Sequence, residues 1–238
     1  MAQFFAGTSG WAYPSWKPDF YPEKLPQKNF LKHYSTQLNT VEVNFSFRQL
    51  LKETTVQKWI AESPDGFRFG VKAHQVITHI KRLKDSEEFV KRFLSTIEGL
   101  AQVKKLGPVL FQLPPNMKAN QEVLQNFLHT LPRGLCAAFE FRHDSWLADE
   151  TFTALRDRDI ALCVAENEDR TTPDVVTAPY CYYRFRKPSY TPEERAAMTG
   201  RIQEHLRAGR DVYAYFKHEE TPEGALYAVE MLKAITGK

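Results

Sequence analysis

Eight short stretches of the sequence end in side chains able to bind a ligand or move a proton. They are Gly7-Thr8-Ser9-Gly10-Trp11, Glu42-Val43-Asn44, Lys72-Ala73-His74, Gln112-Leu113, Glu140-Phe141-Arg142-His143, Ala165-Glu166-Asn167, Arg184-Phe185-Arg186 and Tyr215-Phe216-Lys217-His218. Two carboxylates, Glu42 and Glu140, suit general acid–base work. Lys72 and Arg142 suit holding an anionic group or depressing a neighbour's pKa. Asn44 and Gln112 would orient a ligand by hydrogen bonds, and Trp11 and Trp146 would stack on a ring. Ser9 is a weak nucleophile candidate: Gly-Thr-Ser-Gly is not the G-x-S-x-G elbow and no base is assigned to it. Its glycines fit close backbone approach better.

A divalent metal is weakly signalled. Seven histidines occur without a His-Glu-x-x-His word or a close pair. Glu42, Glu140 and Glu166 with His143 or His74 would make an oxygen-rich set, but nearby cations balance those carboxylates without an ion. The loops at Arg186-Lys187-Pro188 and Lys217-His218-Glu219 lack the glycines of a backbone phosphate cradle, so phosphate there would rest on side chains.

The elements that must position these groups follow one pattern. A short apolar, β-branched or aromatic run leads into a polar turn and then an amphipathic stretch. The runs are 3–8, 40–44, 68–73, 108–113, 136–141, 161–166, 180–185 and 212–217. Helices are predicted over 27–38, 52–62, 86–100, from a cap at Asn120, over 148–158, from a Thr191 cap to 208, and after a Thr221-Pro222-Glu223 start. The segment 167–177, with Pro173, reads as loop. Alternating strands and helices predict parallel βαβ units, and the length suits a single-domain closed (β/α)₈ barrel of the triosephosphate-isomerase type. An open doubly wound sheet would usually begin with G-x-G-x-x-G, which is absent.

In such a barrel the chemistry sits at the C-terminal strand ends. Residues two apart share a face, so Glu42 pairs with Asn44, Lys72 with His74, Glu140 with Arg142 and Arg184 with Arg186. Charge there breaks the apolar rule for buried parallel strands. Two explanations compete: a ligand pocket, or an ionic plug closing the mouth.

Composition narrows the classes. The chain has 238 residues, 42% hydrophobic and 26% charged, which excludes disordered and collagen-like chains. No apolar run is long enough to span a membrane, and the first residues lack a secretory n-region. Cys136, Cys163 and Cys181 cannot pair evenly and form no Cys-x-x-Cys, so a reduced, cytoplasmic protein is expected. Net charge +3 is spread along the chain and does not point to nucleic acid.

The strand-end words, in order, resemble the YecE-like family, the bacterial and archaeal domain of unknown function seventy-two. They are Gly7-Thr8-Ser9-Gly10-Trp11, Phe20-Tyr21-Pro22, Asn39 to Asn44, Phe67-Arg68-Phe69 through Lys72, Ile77-Thr78-His79, Gly107 to Pro115, and Phe139 to His143 with Trp146. The resemblance implies a triosephosphate-isomerase-type barrel. It places the family's polar positions on Thr8, Ser9, Trp11, Glu42, Asn44, Lys72, His79, Gln112, Glu140, Arg142 and Trp146. Strands 6 to 8 depart from the family pattern: Glu166 replaces an Asp, Arg186-Lys187 replaces His-Gly, and Lys217-His218 replaces Asn-Asn. Glu166, Arg184, Tyr215 and Lys217 are then expected to form a more cationic substrate-facing wall. The expected function is an enzyme (a hydrolase, lyase or isomerase) using acid–base chemistry by Glu42, Glu140 and Lys72 on a small polar or anionic molecule. The alternatives are a nucleic-acid binder or metal-dependent nuclease, and a non-catalytic scaffold.

Overall fold

A computed structural model of the chain describes residues 1–168, 171–217 and 221–237. Its strands are β1 (Phe4–Thr8), β2 (Thr40–Val43), β3 (Arg68–Lys72), β4 (Leu106–Gln112), β5 (Ala137–Glu140), β6 (Ala161–Glu166), β7 (Tyr180–Phe185) and β8 (Asp211–Phe216). All pair in parallel in one sheet, in the order β1-β8-β7-β6-β5-β4-β3-β2. The crossovers carry α1 (Phe30–Gln37), α2 (Glu53–Glu62), α3 (Glu87–Gln102), α4 (Gln121–Thr130), α5 (Asp149–Arg156) and α6 (Pro192–Arg207), and α7 (Glu223–Thr236) follows β8. Between β6 and β7 the described residues form loop with one isolated bridge, Glu166 to Thr171, as the polar composition with Pro173 predicts.

Local signals account for the helix starts. Asn120 accepts a hydrogen bond from the Val123 amide. Thr191 and Glu194 form a reciprocal capping box, with Pro192 in the first turn of α6. Thr221 does not cap the last helix. The cap position falls on Pro222, whose backbone is already helical, and no side chain bonds there.

The strands β1 and β2 end the hydrogen-bonded order, yet side chains join them into a nearly closed barrel. Asn39 accepts from the Ala6 amide at 2.9 Å and donates to the Phe4 carbonyl at 2.8 Å. The Tyr34 hydroxyl accepts from the Thr8 amide at 2.8 Å and donates to the Thr40 carbonyl at 3.0 Å. These bonds satisfy backbone groups that a ladder would otherwise pair. Gly7 is needed at this seam, since a Cβ there would lie 2.0 Å from the Thr40 oxygen.

The barrel is filled below its mouth. Phe5, Leu110, Ala138, Ala161, Cys163, Tyr182, Tyr213 and Tyr215 belong to a core cluster separate from the strand–helix core. Phe5 stacks on Tyr213 at 4.6 Å and Tyr182 lies 5.1 Å from Tyr215. Large rings from β7 and β8 fit because facing strands offer small residues. At Gly70 a Cβ would stand 2.6 Å from the Tyr215 hydroxyl. No helix among the described residues is long and apolar enough to cross a membrane.

Candidate functional site

The upper layer of the barrel is an ionic floor. Glu42, Glu140 and Arg184 project inward from β2, β5 and β7. Arg184 Nη2 donates to Glu42 Oε1 at 2.7 Å, and its Nη1 donates to Glu140 Oε2. Glu42 also accepts from Asn44 Nδ2 at 3.1 Å and from the Tyr182 hydroxyl at 2.6 Å. Glu140 Oε1 accepts from Gln112 Nε2 at 2.9 Å. All four carboxylate oxygens therefore have donors, and Glu42 is 0% exposed. Burial works against the Arg184 charge, but the two carboxylates outweigh it and raise its pKa. Burial, then the Glu42 charge, raises the Tyr182 phenol well above its ordinary value. Removing one member of such a set strands the others, at about 3–5 kcal/mol.

A less saturated rim stands over this floor. Lys72 Nζ donates to Gln112 Oε1 at 2.7 Å and sits 4.1 Å from the centroid of the Phe47 ring. Burial, then Arg184, lowers the Lys72 pKa to about 8, against the opposing pull of Glu42 and Glu140. Gln112 is locked between Lys72 and Glu140, which fixes its amide orientation. His79, on a π-helical turn (Val76–Ile80), meets the same Phe47 ring edge-on at 4.9 Å. Its pKa is held down by burial, then by the Lys72, Arg142 and Arg82 charges. Arg142 lies beyond the end of β5, exposed, and makes no hydrogen bond or ion pair with the described residues. Arg186 Nη1 donates to Ser9 Oγ at 2.7 Å, and its Nη2 lies 3.8 Å from Glu42. Glu140 and Arg184 of the floor and Arg142 and Arg186 of the rim bound a cavity of about 480 Å³, with Gln112, Glu166 and Lys217 also in its lining. The plug and the pocket thus coexist, one above the other.

The structure brings together Ser9, Glu42, Asn44, Lys72, Gln112, Glu140, Arg142, Arg184 and Lys217. It separates several other expected residues. Trp146 is fully buried, stacked on Phe141 at 4.9 Å with its indole donating to the Met117 carbonyl, and presents no stacking face. Thr8 faces the helices, its hydroxyl donating to the Gly10 carbonyl and lying 2.9 Å from that of Tyr34. Tyr215 lies below the mouth, 3.0 Å from the Thr40 hydroxyl. Glu166, by contrast, lines the mouth cavity, although it shares a strand face with Leu162 and Val164 and its carboxyl meets Tyr190. The pairing of His74 with Lys72 fails because β3 ends at Lys72, and His74 packs on Phe89 of α3. Trp11 stands to one side, edge-on to Trp59 at 5.4 Å. Ser9 Oγ donates to the Phe216 carbonyl and accepts from Arg186, an arrangement without a base.

The oxygen-rich metal set does not assemble: His143 Nδ1 accepts from the Ser145 amide, His74 packs on Phe89, and the Glu166 carboxyl meets Tyr190. Among the described residues no group of three or more His, Cys, Asp or Glu side chains is arranged to hold a metal ion. His218 lies outside the described residues. Tyr182 and Phe47 were not expected as members of the site, and Arg186 was placed on the face of Arg184 without a role of its own. The period-two phase that places Arg184 inward also places Tyr182 and Arg186 there.

Comparison with known proteins decides the family. The profile of the family described as "Protein of unknown function DUF72" matches residues 5–238. The chain belongs to the DUF72 family. It is similar to UPF0759 protein YunF of Bacillus subtilis, 31% identical over 151 residues, 60% of this chain and 52% of that protein. It is also similar to UPF0759 protein YecE of Escherichia coli, 28% identical over 145 residues, 60% of this chain and 50% of that protein. The matched stretch thus spans about half the length of these curated relatives. A DUF72 structure from Thermotoga maritima superimposes with a TM-score of 0.87 at 26% identity, covering 98% of this chain and 99% of the other. An AP endonuclease, family 2, from Brucella melitensis gives 0.55 at 8% identity, covering 95% and 98%. That last likeness shows the barrel fold alone.

Proposed function

We propose that this DUF72 protein is an enzyme, a hydrolase, lyase or isomerase, acting by acid–base chemistry on a small anionic substrate at the barrel mouth. One observation carries the reading: the 480 Å³ cavity is lined by Arg142, Arg186 and Lys217 above a floor whose own charges pair with each other. Glu42 and Glu140 are engaged by Arg184, so Arg142 is left to meet a ligand. Glu166 supplies one opposing carboxylate, turned toward Tyr190. Arg142 and Arg186 would hold the anionic group, Arg186 being braced by Ser9, with Lys217 beside them.

The saturated carboxylates are poorly placed to exchange protons with a ligand. Lys72 suits that role better: at a pKa of about 8 its amine gives up and takes back a proton near neutrality. Gln112 positions it, and the floor sets the field around it. The unpaired cysteines support a reducing, cytoplasmic setting.

Thermal unfolding of the full chain with inorganic phosphate and with citrate tests the reading. Either anion should raise Tm by mass action in the wild type, and Arg142→Ala with Lys217→Ala should remove the shift. An equal shift in the double variant, or none in the wild type, rejects the anion site. A salt-steep affinity for DNA without phosphate binding would put nucleic acid in its place.

A further inference from the structure

Beside the cationic mouth, at the ends of β1 and β2, lies a second recess of about 290 Å³. Its walls are Ser9, Gly10, Trp11, Ala12, Tyr13, Val43, Asn44, Phe45 and Trp59, without an acidic or basic side chain. Phe45 is 58% exposed, and Trp11 is half-buried against Trp59. Burial pushes the Tyr13 phenol up to about 12, so this wall is neutral at physiological pH. Gly10, at φ +118, lets the loop wrap the recess, since a Cβ there would lie 2.5 Å from the Tyr13 hydroxyl.

The recess and the anion cavity share a wall. Ser9 lines the recess and receives the 2.7 Å hydrogen bond from Arg186, which lines the cavity. Asn44, on the same border, donates to Glu42 of the floor and to the Ser9 carbonyl. Both openings lie at C-terminal strand ends, on the one face where barrel loops assemble a site. A dry cavity of roughly 150 Å³ already admits a benzene ring, so this recess has room for a ring system of one or two rings. Aromatic walls favour a flat partner.

We propose that the recess is the ring subsite of the anion site. The substrate is then an anion bearing a planar aromatic ring, with its acidic group on Arg142, Arg186 and Lys217 and its ring against Trp11, Tyr13 and Phe45. The inference rests on the anion-site reading and adds the class of molecule.

Calorimetric titration of the full chain with 2-naphthyl phosphate, inorganic phosphate and 2-naphthol tests it. The aryl phosphate should bind at least tenfold tighter than phosphate and tighter than the naphthol. Phe45→Ser, at an exposed position, and Trp11→Leu should cut that advantage below threefold with phosphate affinity unchanged, and Trp11→Phe should retain most of it. Equal affinity for the two phosphates, an advantage that survives both variants, or naphthol binding as tight as its phosphate overturns the ring subsite while leaving the anion site standing. Failure of both phosphates to bind rejects the anion site, and this inference falls with it.

Discussion

Two lysines at opposite ends of the barrel separate a structural amine from a chemical one. Lys105 precedes β4 at the N-terminal end of the strands and is 4% exposed. Its ammonium donates to the Ile60 carbonyl at 2.9 Å, the Ser63 carbonyl at 2.6 Å and the Ser63 hydroxyl at 3.0 Å. Two of these acceptors are carbonyls at the C-terminal end of α2, which lack helical partners. Lys72, at the other end, makes one hydrogen bond to the described residues and faces the Phe47 ring. Burial lowers the pKa of both amines. The difference is in the donors: Lys105 spends all three N–H groups on the fold, whereas Lys72 spends one, on Gln112, which lines the mouth cavity. Depressed basicity alone therefore does not mark a site; unsatisfied bonding capacity does.

The largest expected effect is on the saturated lysine. Lys105→Met should lower the free energy of unfolding in urea by about 3 kcal/mol, because buried acceptors lose their donor at a cost of about 1–3 kcal/mol each, partly recovered by the filling side chain. Lys72→Met should stay within about 1 kcal/mol of wild type at pH 7, since only Gln112 loses a partner. Equal losses for the two variants would break the distinction. Amine acylation followed by mass spectrometry sharpens it. At pH 8 Lys72 should react at least ten times faster than the exposed lysines, because a much larger fraction of its amine is free base. Lys105 should be protected by its three bonds. A Lys72 no faster than the exposed lysines would remove it from proton-transfer chemistry.

A different contrast, between ordered ladder and irregular loop, governs how much could be read from sequence. Strand runs, helix starts and the barrel class follow from apolar period and capping residues, as at Asn120 and the Thr191–Glu194 box. The inward projection of Glu42, Glu140 and Arg184 follows from period two. That period holds only while the ladder holds: beyond Lys72 the chain turns into a π-helical segment and His74 swings to α3. Phase was the other source of error. Inward Ala165 leaves Glu166 at the edge of the cavity with its carboxyl on Tyr190, and inward Ser9 turns Thr8 outward. The seam between β1 and β2 was illegible because Tyr34 and Asn39 act through tertiary contacts. Trp146 carries no local sign that its ring packs under Met117 rather than over the mouth.

The smallest expected effect concerns pH, and its sign follows from the Lys72 shift. The folded amine loses its proton near pH 8, whereas an unfolded lysine keeps its proton to about 10.5. Between these values the unfolded chain binds more protons, so the Lys72 contribution makes the protein more stable as pH rises. Below pH 8 both states are protonated and the contribution is flat at its least favourable level. Tyr182, Tyr215 and His79 are shared by wild type and Lys72→Met, so the tyrosines, which titrate near 10 once unfolded, drop out of the difference between the two. The stability of wild type minus that of Lys72→Met, measured in urea at pH 7, 8, 9 and 10, should be level to pH 8 and then climb. A level difference throughout would give Lys72 an ordinary amine, and the rim would then hold charge without a group able to exchange protons near neutrality.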